Sequence, residues 1–367
     1  MKYYIIVGEA SGDMHGANLI KSIKKRDPKA EFRFFGGDKM VEVTSPSALV
    51  VHYKESSIMG FIEVLMNLRK ILRFLKLCKR DIAAWKPDLV ILIDYPGFNF
   101  KIAKWAHHHN FKTCYYIAPK VWAWKEGRAK MLKKYVDRLL VIFPFEVEWF
   151  AARGIEARYV GNPLLDEIAA RRAVVSQPEK PIVALVAGSR AQELEHNLAP
   201  MVAVSRNFPD YQFVVTGIDC LPRSMYDKYL LGSNVELVFG QTYQTMEVAS
   251  AALVTSGTAT LEAALLGVPE VVCYRAPTML LWFAHRLVKL KWISLVNLIM
   301  DRTVVREMIG NRDFSVERAT SELAAILPGG SKHDKMIQDY KELREKLGTV
   351  GASDKAAKEI VELLNIK

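Results

Sequence analysis

Short runs of apolar residues recur along the chain, and each is followed by a polar or glycine-containing loop and then by a segment of helical periodicity. Apolar runs that do not alternate with polar residues are typical of strands buried on both faces of a parallel sheet. The pattern therefore predicts an α/β protein built from repeated strand–loop–helix units. The predicted strands are residues 3–7, 32–35, 89–93, 113–117 and 137–143 in the first half and 182–186, 211–216, 235–239, 252–255 and 268–274 in the second.

Between and after these strands the pattern changes in a few places. A polar loop is predicted at 8–13, followed by a first helix over 14–25. Residues 291–298 are predicted to be an extended segment. Amphipathic helices are expected beyond this segment to the end of the chain, and no further sheet strand is predicted after 268–274.

The two halves repeat one architecture, a βα series of Rossmann type. Residues 166–180 are polar, and Pro181 restarts the pattern. We therefore predict domains at 1–165 and 166–345, with a C-terminal helix at 346–367 that packs back on the first domain. The first glycine loop does not have the GxGxxG spacing of dinucleotide-binding proteins. Two Rossmann-like domains that face each other across a cleft without that fingerprint suggest the GT-B arrangement of sugar-nucleotide transferases.

The composition indicates which classes of binding partner to expect. Of the 367 residues, 50% are hydrophobic and 25% are charged, which indicates a well-buried core, and the net charge of +11 favours anionic partners. The basic residues are interleaved with aliphatic ones and no base-stacking module is evident, so nucleic acid is not expected. The four cysteines form no CxxC pair and no zinc spacing, which predicts reduced thiols in the cytosol. No apolar run reaches the length of a membrane span, and the first apolar run is too short for a signal peptide.

Residues 255–267 read T-S-G-T-A-T-L-E-A-A-L-L-G and follow an apolar run. A strand, a small-residue turn at Ser256, Gly257 and Thr258, and a helix place free backbone N–H groups where a phosphate can bind. Glu262 lies one helical turn beyond Thr258 on the same face, where its carboxylate could accept hydrogen bonds from sugar hydroxyls. The alternative is an ordinary capped helix with a solvated Glu262.

Arg190 ends the loop that follows the strand at 182–186. Its forked guanidinium suits a phosphate-binding loop. The alternative is an exposed ion pair with Glu193 or Glu195.

Asp94 follows the predicted central strand at 89–93 and precedes a Pro-Gly turn. Ligands of open α/β sheets bind outside the carboxyl ends of the strands, so this carboxylate is well placed as a general base. The alternative is that Asp94 caps the following helix.

Residues 58–77 form a predicted helix whose apolar side chains cover most of its circumference. One interpretation is a core helix with a basic outer face. The other is a helix that partly embeds in an anionic membrane surface. The residues expected to contact the membrane are Phe61, Ile62, Leu65, Leu68, Arg69, Leu72 and Arg73.

Two aromatic or histidine-rich motifs have less definite interpretations. Trp122 and Trp124 lie between Lys120 and Lys125, which favours either a sugar or headgroup platform or packing between domains. The three consecutive histidines at 107–109 point in different directions on a helix, so we predict a solvated helix end and no metal site.

Several motifs together resemble the lipid-A-disaccharide synthases. They span nearly the whole chain in the same order as in that family. They are G-E-A-S-G-D (8–13), I-M-G-F-I-E-V-L (58–65), I-D-Y-P-G-F-N (93–99), P-K-V-W-A-W (119–124), P-F-E (144–146), G-N-P (161–163), G-S-R-A-Q-E-L-E (188–195), S-G-T-A-T-L-E (256–262), Y-R-A-P (274–277) and S-L-V-N-L-I (294–299).

The resemblance implies an inverting GT-B glycosyltransferase. The family condenses UDP-2,3-diacylglucosamine with 2,3-diacylglucosamine 1-phosphate, forms a β-1,6-linked disaccharide phosphate and releases UDP. It needs neither a metal ion nor a cofactor. It also implies a peripheral protein on the cytoplasmic face of the inner membrane, and a homodimer in which C-terminal regions can be exchanged.

The resemblance also implies roles for individual residues. Asp94 matches the base that deprotonates the acceptor 6-hydroxyl. Many relatives have a second Asp three residues later, where this chain has Gly97. The residues that match the UDP-binding part are Arg190, Ser256, Gly257, Thr258 and Glu262. Asn297 matches an Asn in a segment that, in the family, reaches toward the nucleotide after exchange of C-terminal regions between two chains. The candidates for binding the acceptor are Glu9, Ser11, Lys120 and Lys125.

Two other functions remain open. A UDP-N-acetylglucosamine 2-epimerase shares the two-domain fold, but it would need acid and base groups on both faces of C2 of a soluble sugar. A non-catalytic basic protein of the membrane surface would leave Asp94 and Glu262 unexplained.

Overall fold

The computed structural model describes residues 1–56, 68–124, 126–171, 178–255, 257–277 and 291–365. The chain divides into two compact units. The first unit comprises residues 1–166 and 349–367, and the second unit comprises residues 167–348. The corresponding predicted boundaries are 165/166 and 345/346.

Each unit is built on a parallel sheet. The seven strands of the first unit are β1 (Lys2–Ile6), β2 (Glu31–Gly36), β3 (Leu49–His52), β4 (Leu89–Ile93), β5 (Thr113–Tyr116), β6 (Arg138–Val141) and β7 (Ala157–Tyr159). Those of the second are β8 (Ile182–Val186), β9 (Gln212–Gly217), β10 (Glu236–Phe239), β11 (Ala249–Val254), β12 (Glu270–Tyr274) and β13 (Arg306–Ile309). The strand orders are β3-β2-β1-β4-β5-β6-β7 and β10-β9-β8-β11-β12-β13. The central strands β4 and β11 therefore each adjoin the first strand of their unit, as in doubly wound folds.

Helices connect the strands. In chain order they are α1 (Ala10–Arg26), α2 (Asp38–Glu42), α3 (Tyr53–Ser56), α4 (Leu68–Trp85), α5 (Pro96–His108), α6 (Val121–Trp124), α7 (Ala129–Tyr135), α8 (Pro144–Ala151), α9 (Pro163–Ala170), α10 (Ala191–Ser205), α11 (Ser224–Leu230), α12 (Thr242–Glu247), α13 (Thr258–Leu265), α14 (Leu295–Met300), α15 (Gly310–Asp313), α16 (Val316–Ile326), α17 (His333–Leu347) and α18 (Ala352–Asn365). Short 3-10 turns occur at Pro46–Ala48 and Glu126–Arg128.

The strands of the first unit are apolar on both faces because helices cover both faces. Successive side chains of a strand point to opposite sides of the sheet. Ile6 and Leu92 pack in one cluster with α4, α5, α7 and α8. Ile5 and Ile91 pack in the other with α1 and α18. The uninterrupted apolar runs in the sequence reflect these two buried faces.

The last helix belongs to the first unit. Helix α18 packs against α1, and Ala357 and Ile360 are fully buried there. The Glu359 carboxylate accepts hydrogen bonds from Arg138 at 2.9 Å and from Arg158 at 2.7 Å. Apolar burial and this shared carboxylate therefore attach the end of the chain to strands β6 and β7.

Several sequence predictions of secondary structure were wrong, and the short edge strands β3 and β7 were not predicted at all. The loop predicted at 8–13 is mostly helix, because α1 begins at Ala10 and Asp13 accepts hydrogen bonds from the backbone N–H groups of Gly37 and Lys39. The extended segment predicted at 291–298 contains the start of α14, which the Ser294 hydroxyl caps. Strand β13 was missed because its sequence, R-E-M-I, is an edge strand without an apolar run.

Candidate active site

Asp94 lies in a strained turn at the carboxyl end of β4. Asp94 and Tyr95 have φ angles of 42° and 49°, a left-handed conformation that non-glycine residues rarely adopt. The Asp94 carbonyl accepts hydrogen bonds from the Tyr115 hydroxyl at 2.6 Å and from the Asn99 amide at 2.8 Å. The surrounding side chains therefore hold the turn in a conformation that the local chain would not choose.

The ring of Tyr95 packs directly on Gly8. A Cβ atom at position 8 would lie 2.3 Å from that ring. Glycine is therefore required in the loop after β1 because the turn after β4 approaches it so closely.

The alternative role of Asp94 as a helix cap is not what the structure shows. Helix α5 begins at Pro96, and its N-cap residue is Tyr95. The Asp94 side chain is instead partly buried. Burial raises the pKa of this carboxyl to about 6; Glu9 also raises it, while Lys120 and a backbone hydrogen bond from Tyr95 lower it. A carboxylate with a pKa close to neutrality can accept a proton from a substrate hydroxyl.

Three of the four predicted acceptor-binding residues lie near Asp94. Glu9 is the N-cap residue of α1, and its carboxylate accepts a hydrogen bond from the Ser11 hydroxyl at 2.6 Å. Lys120, which follows β5, has an exposed side chain that acts electrostatically on Asp94. The loops after neighbouring strands β1, β4 and β5 thus form one polar cluster. Lys125 lies outside the described residues.

Glu146 is a buried carboxyl that the sequence analysis quoted within a motif but did not assign to the site. It is 1% exposed and accepts hydrogen bonds from the Trp122 indole at 2.9 Å and from the backbone N–H groups of Phe143 and Ile142. Burial raises its pKa to about 7. The available signal was an acid three residues after Phe143, at the start of α8.

Trp122 is partly buried and packs within the first unit, so it is not the exposed platform that was one of its two interpretations. Its ring packs edge-on against Phe143 and Phe145, with centroid distances of 6.4 and 5.0 Å. The Trp124 side chain lies outside the described part of the structure. The described histidines at 107–109 are exposed at the end of α5, with rings against Tyr135 or Trp105.

A second polar cluster lies in the second unit at the start of α13. Gly257, with a φ of 138°, is the N-cap residue, and Thr258 is exposed at the first helical position. Glu262 is not simply solvated, because it is hydrogen-bonded to Tyr243 and lies near Arg171; burial raises its pKa. An exposed helix start thus lies one helical turn from a carboxylate. Ser256 lies outside the described residues.

Arg190 is the N-cap residue of α10, and its side chain is 79% exposed. Its guanidinium lies 3.4 Å from Glu193, so the alternative ion pair is present. Glu193 also accepts a hydrogen bond from the Ser189 backbone at 2.8 Å and thereby holds the loop. An exposed ion pair of this kind is worth little, so Arg190 can leave it for a phosphate at small cost.

In the single chain, the Asn297 side chain has no hydrogen-bonding position left for a nucleotide. Its side chain is fully buried, and its oxygen accepts hydrogen bonds from the backbone of Val304 and Val305. Its nitrogen donates to the Val305 carbonyl and to Glu307. Because every hydrogen-bonding position of the amide is used inside the second unit, Asn297 has a structural role.

Helix α4 has a buried face and an exposed face. Phe74, Leu75 and Ile82 are buried in the core. Leu68 and Leu72, in contrast, are 47% and 53% exposed. Each is followed in the chain by an exposed cation, Arg69 and Arg73 respectively. The other predicted membrane-contact residues, Phe61, Ile62 and Leu65, lie outside the described residues.

Within the described ranges, no helix is long and apolar enough to cross a membrane. The same part of the chain contains no group of three His, Cys, Asp or Glu residues arranged to hold a metal ion.

Comparison with known proteins identifies the family. The family model described as lipid-A-disaccharide synthetase matches residues 3–361. This chain belongs to that family. The lipid-A-disaccharide synthase of Myxococcus xanthus, for example, is 34% identical over 373 residues, which cover 98% of this chain and 97% of that protein.

Solved structures confirm the predicted fold class of two Rossmann-like α/β units. A UDP-GlcNAc 2-epimerase from Neisseria meningitidis, bound to UDP-GlcNAc, has a TM-score of 0.65 at 14% identity, with 100% of both chains covered. The glycotransferase of kitacinnamycin has a TM-score of 0.63 at 14% identity, covering 99% of this chain and 98% of that chain. At this identity the likeness shows a shared GT-B fold and gives the epimerase alternative no further support.

The packing of Tyr95 on Gly8 leads to a test. Gly8→Ala should displace the Asp94 turn and lower the synthase kcat by roughly 10²-fold, because a small misplacement of a reacting group is costly. The far-ultraviolet circular dichroism spectrum should be retained. Gly97→Ala is the matched control, since a Cβ atom there meets nothing within 4 Å. Equal activities of the two variants would contradict the proposed constraint.

Proposed function

We propose that this chain transfers diacylglucosamine from UDP-2,3-diacylglucosamine to the 6-hydroxyl of 2,3-diacylglucosamine 1-phosphate. The products are a β-1,6-linked disaccharide phosphate and UDP. Family membership supports the reaction. The observation that supports Asp94 as its base is the strained turn that holds a carboxyl with a pKa of about 6 at the end of β4.

In this mechanism the acceptor binds the cluster of the first unit. The oxygen of the acceptor 6-hydroxyl attacks the anomeric carbon of the donor sugar, and the Asp94 carboxylate accepts the proton of that hydroxyl. Glu9 and Ser11 accept or donate hydrogen bonds to the acceptor sugar, and Lys120 attracts its phosphate. Attack and departure occur on opposite faces of the donor sugar, so one base is sufficient for inversion. Gly97 takes no part.

The donor binds the cluster of the second unit. The backbone at Gly257 and Thr258 contacts the diphosphate at the positive end of the α13 dipole, and Ser256 is assigned to the same phosphates. Arg190 pairs with the same phosphates and stabilises the charge that develops on UDP as the bond breaks. Glu262 accepts hydrogen bonds from the ribose hydroxyls. These groups perform the charge stabilisation in a scheme that assigns no role to a metal ion or cofactor.

We also propose that the protein is peripheral on the cytoplasmic face of the inner membrane, where its acylated substrates lie. The exposed Leu68 and Leu72 can enter the membrane interface. Each cation of α4 near acidic headgroups adds about 1 kcal/mol of attraction to the membrane surface. The family resemblance supports a homodimer, with or without exchange of C-terminal regions.

Asp94→Asn tests the base. Turnover in the disaccharide-forming assay should fall by roughly 10²- to 10⁴-fold, the range for loss of a general base, while UDP affinity measured by calorimetry stays within about twofold. In the parent enzyme kcat/KM should fall as the pH drops through about 6, because protonated Asp94 cannot act as a base. Near-parent turnover of the variant would remove Asp94 from this role. Formation of a free hexosamine epimer with no acceptor consumed would contradict the reaction itself.

Arg190→Ala tests the donor site. It should raise the Kd for UDP by roughly 10- to 100-fold, the effect of losing a charged hydrogen bond of about 1.5–3 kcal/mol. Arg223→Ala is the control, because Arg223 forms a similar exposed pair within its own helix, 3.3 Å from Asp227. If both variants bind UDP like the parent, Arg190 does not contact the nucleotide.

The membrane surface is tested by Leu68→Ser together with Leu72→Ser. Cosedimentation with vesicles that contain acidic phospholipid should weaken by at least about tenfold, while the melting temperature changes little because both side chains are exposed. Leu75→Ser, at a buried position of the same helix, should instead lower the melting temperature markedly. Unchanged vesicle binding by the double variant would show that this face does not contact lipid.

A further inference from the structure

The segment that carries Lys120 needs support from elsewhere in the fold. It leaves β5 at Ile117, whose φ of 58° is a strained value for a β-branched residue. Lys120 is exposed and precedes the one-turn helix α6. A helix this short is not stable by itself, so contacts outside the segment must fix its position.

Glu146 provides such a contact. Two of its three hydrogen-bond donors, the backbone N–H groups of Ile142 and Phe143, lie in its own turn after β6. The third is the indole N–H of Trp122, 24 residues earlier in the chain. Because the Trp122 ring also packs edge-on against Phe143 and Phe145, both its position and its plane are fixed.

Lys120 lies two residues before Trp122, between the end of β5 and that residue. Its ammonium group is 5.9 Å from the centre of the Phe143 ring, and its charge acts on both Asp94 and Glu146. The ammonium group is therefore close enough to the candidate base and to the buried carboxyl to act on both.

We propose that Glu146 is a positioning residue of the active site, which fixes the segment 117–124 through the Trp122 indole and so keeps the Lys120 ammonium group beside Asp94. The proposal rests on Asp94 being the base of the proposed reaction. The charge of Lys120 favours the ionised carboxylate, which is the form that accepts the proton. The titratable, charged and hydrogen-bonding groups around the two carboxyls are Glu9, Lys120, Tyr95 and Tyr115 for Asp94, and Lys120, Trp122 and Tyr159 for Glu146.

Trp122→Phe is the decisive variant because it keeps an aromatic ring and removes the indole N–H. The acidic limb of the kcat/KM profile should move to higher pH by about one unit, the lower end of the effect of a nearby opposite charge. Activity then falls about fivefold at pH 6 and by less than about twofold at pH 9, where Asp94 is ionised in both proteins. Lys120→Met should move the limb equally, and the double variant should move it no further.

Two further variants complete the test. Glu146→Gln should move the limb in the same direction. Its single oxygen can accept the two backbone N–H groups of Ile142 and Phe143, and its NH2 group then faces the Trp122 indole N–H, which it cannot accept. This variant also keeps the test open if Trp122→Phe does not fold. Trp105→Phe is the control, because that indole packs on His109 and Phe111 at the other end of α5. Its limb should coincide with that of the parent.

A loss of activity that is equal at every pH, with an unmoved limb, would overturn the proposal in favour of a purely structural Glu146. A second measurement separates this outcome from a wrong base. The Asp94 carboxyl, identified by its missing signal in Asp94→Asn, is titrated by carbon NMR in the parent and in Trp122→Phe. A raised pKa in Trp122→Phe supports the positioning of Lys120 even if Asp94→Asn proves active, and an unchanged pKa contradicts it.

Discussion

The active-site cluster depends on the strained turn at Asp94 and Tyr95. Each residue in a left-handed conformation costs on the order of 1–3 kcal/mol, and the Asn99 and Tyr115 hydrogen bonds offset that cost. The turn follows β4, which lies between β1 and β5 in the sheet. Glu9 and Lys120 reach Asp94 because the carboxyl ends of these parallel strands meet at one edge.

The chemistry is divided between the two units according to charge. The cluster of the first unit contains carboxyls, and its proposed task is to remove a proton. The cluster of the second unit contains a helix start and Arg190, and its proposed task is to hold phosphates. Helix α4 adds a third surface, on which exposed leucines lie among cations. This distribution is compatible with a basic chain whose proposed base is an acid.

Much of the fold could be predicted from the sequence because strands buried on both faces need uninterrupted apolar runs. Strands such as β4 and β8 were recognised in this way. Strand β13 was not, since an edge strand can be polar, and α14 was taken for an extended segment because its short run of apolar residues fits either state. The contacts of α18 with α1 join opposite ends of the chain, and local pattern contains no information about the Arg138 and Arg158 pairs that secure it.

For the candidate site, the sequence by itself determined which residue types follow which strands, and so placed Asp94, Arg190 and the turn before α13 at carboxyl ends. Its motifs also determined the family. Only the tertiary structure decided what those side chains touch. The side-chain amide of Asn297, which was expected near the nucleotide, is hydrogen-bonded to buried backbone groups instead. Glu146, which was not assigned to the site from the sequence, accepts a hydrogen bond from Trp122. The physical reason is that burial and hydrogen-bond partners, which set both the pKa of Asp94 and the availability of Asn297, arise from contacts between residues far apart in the chain.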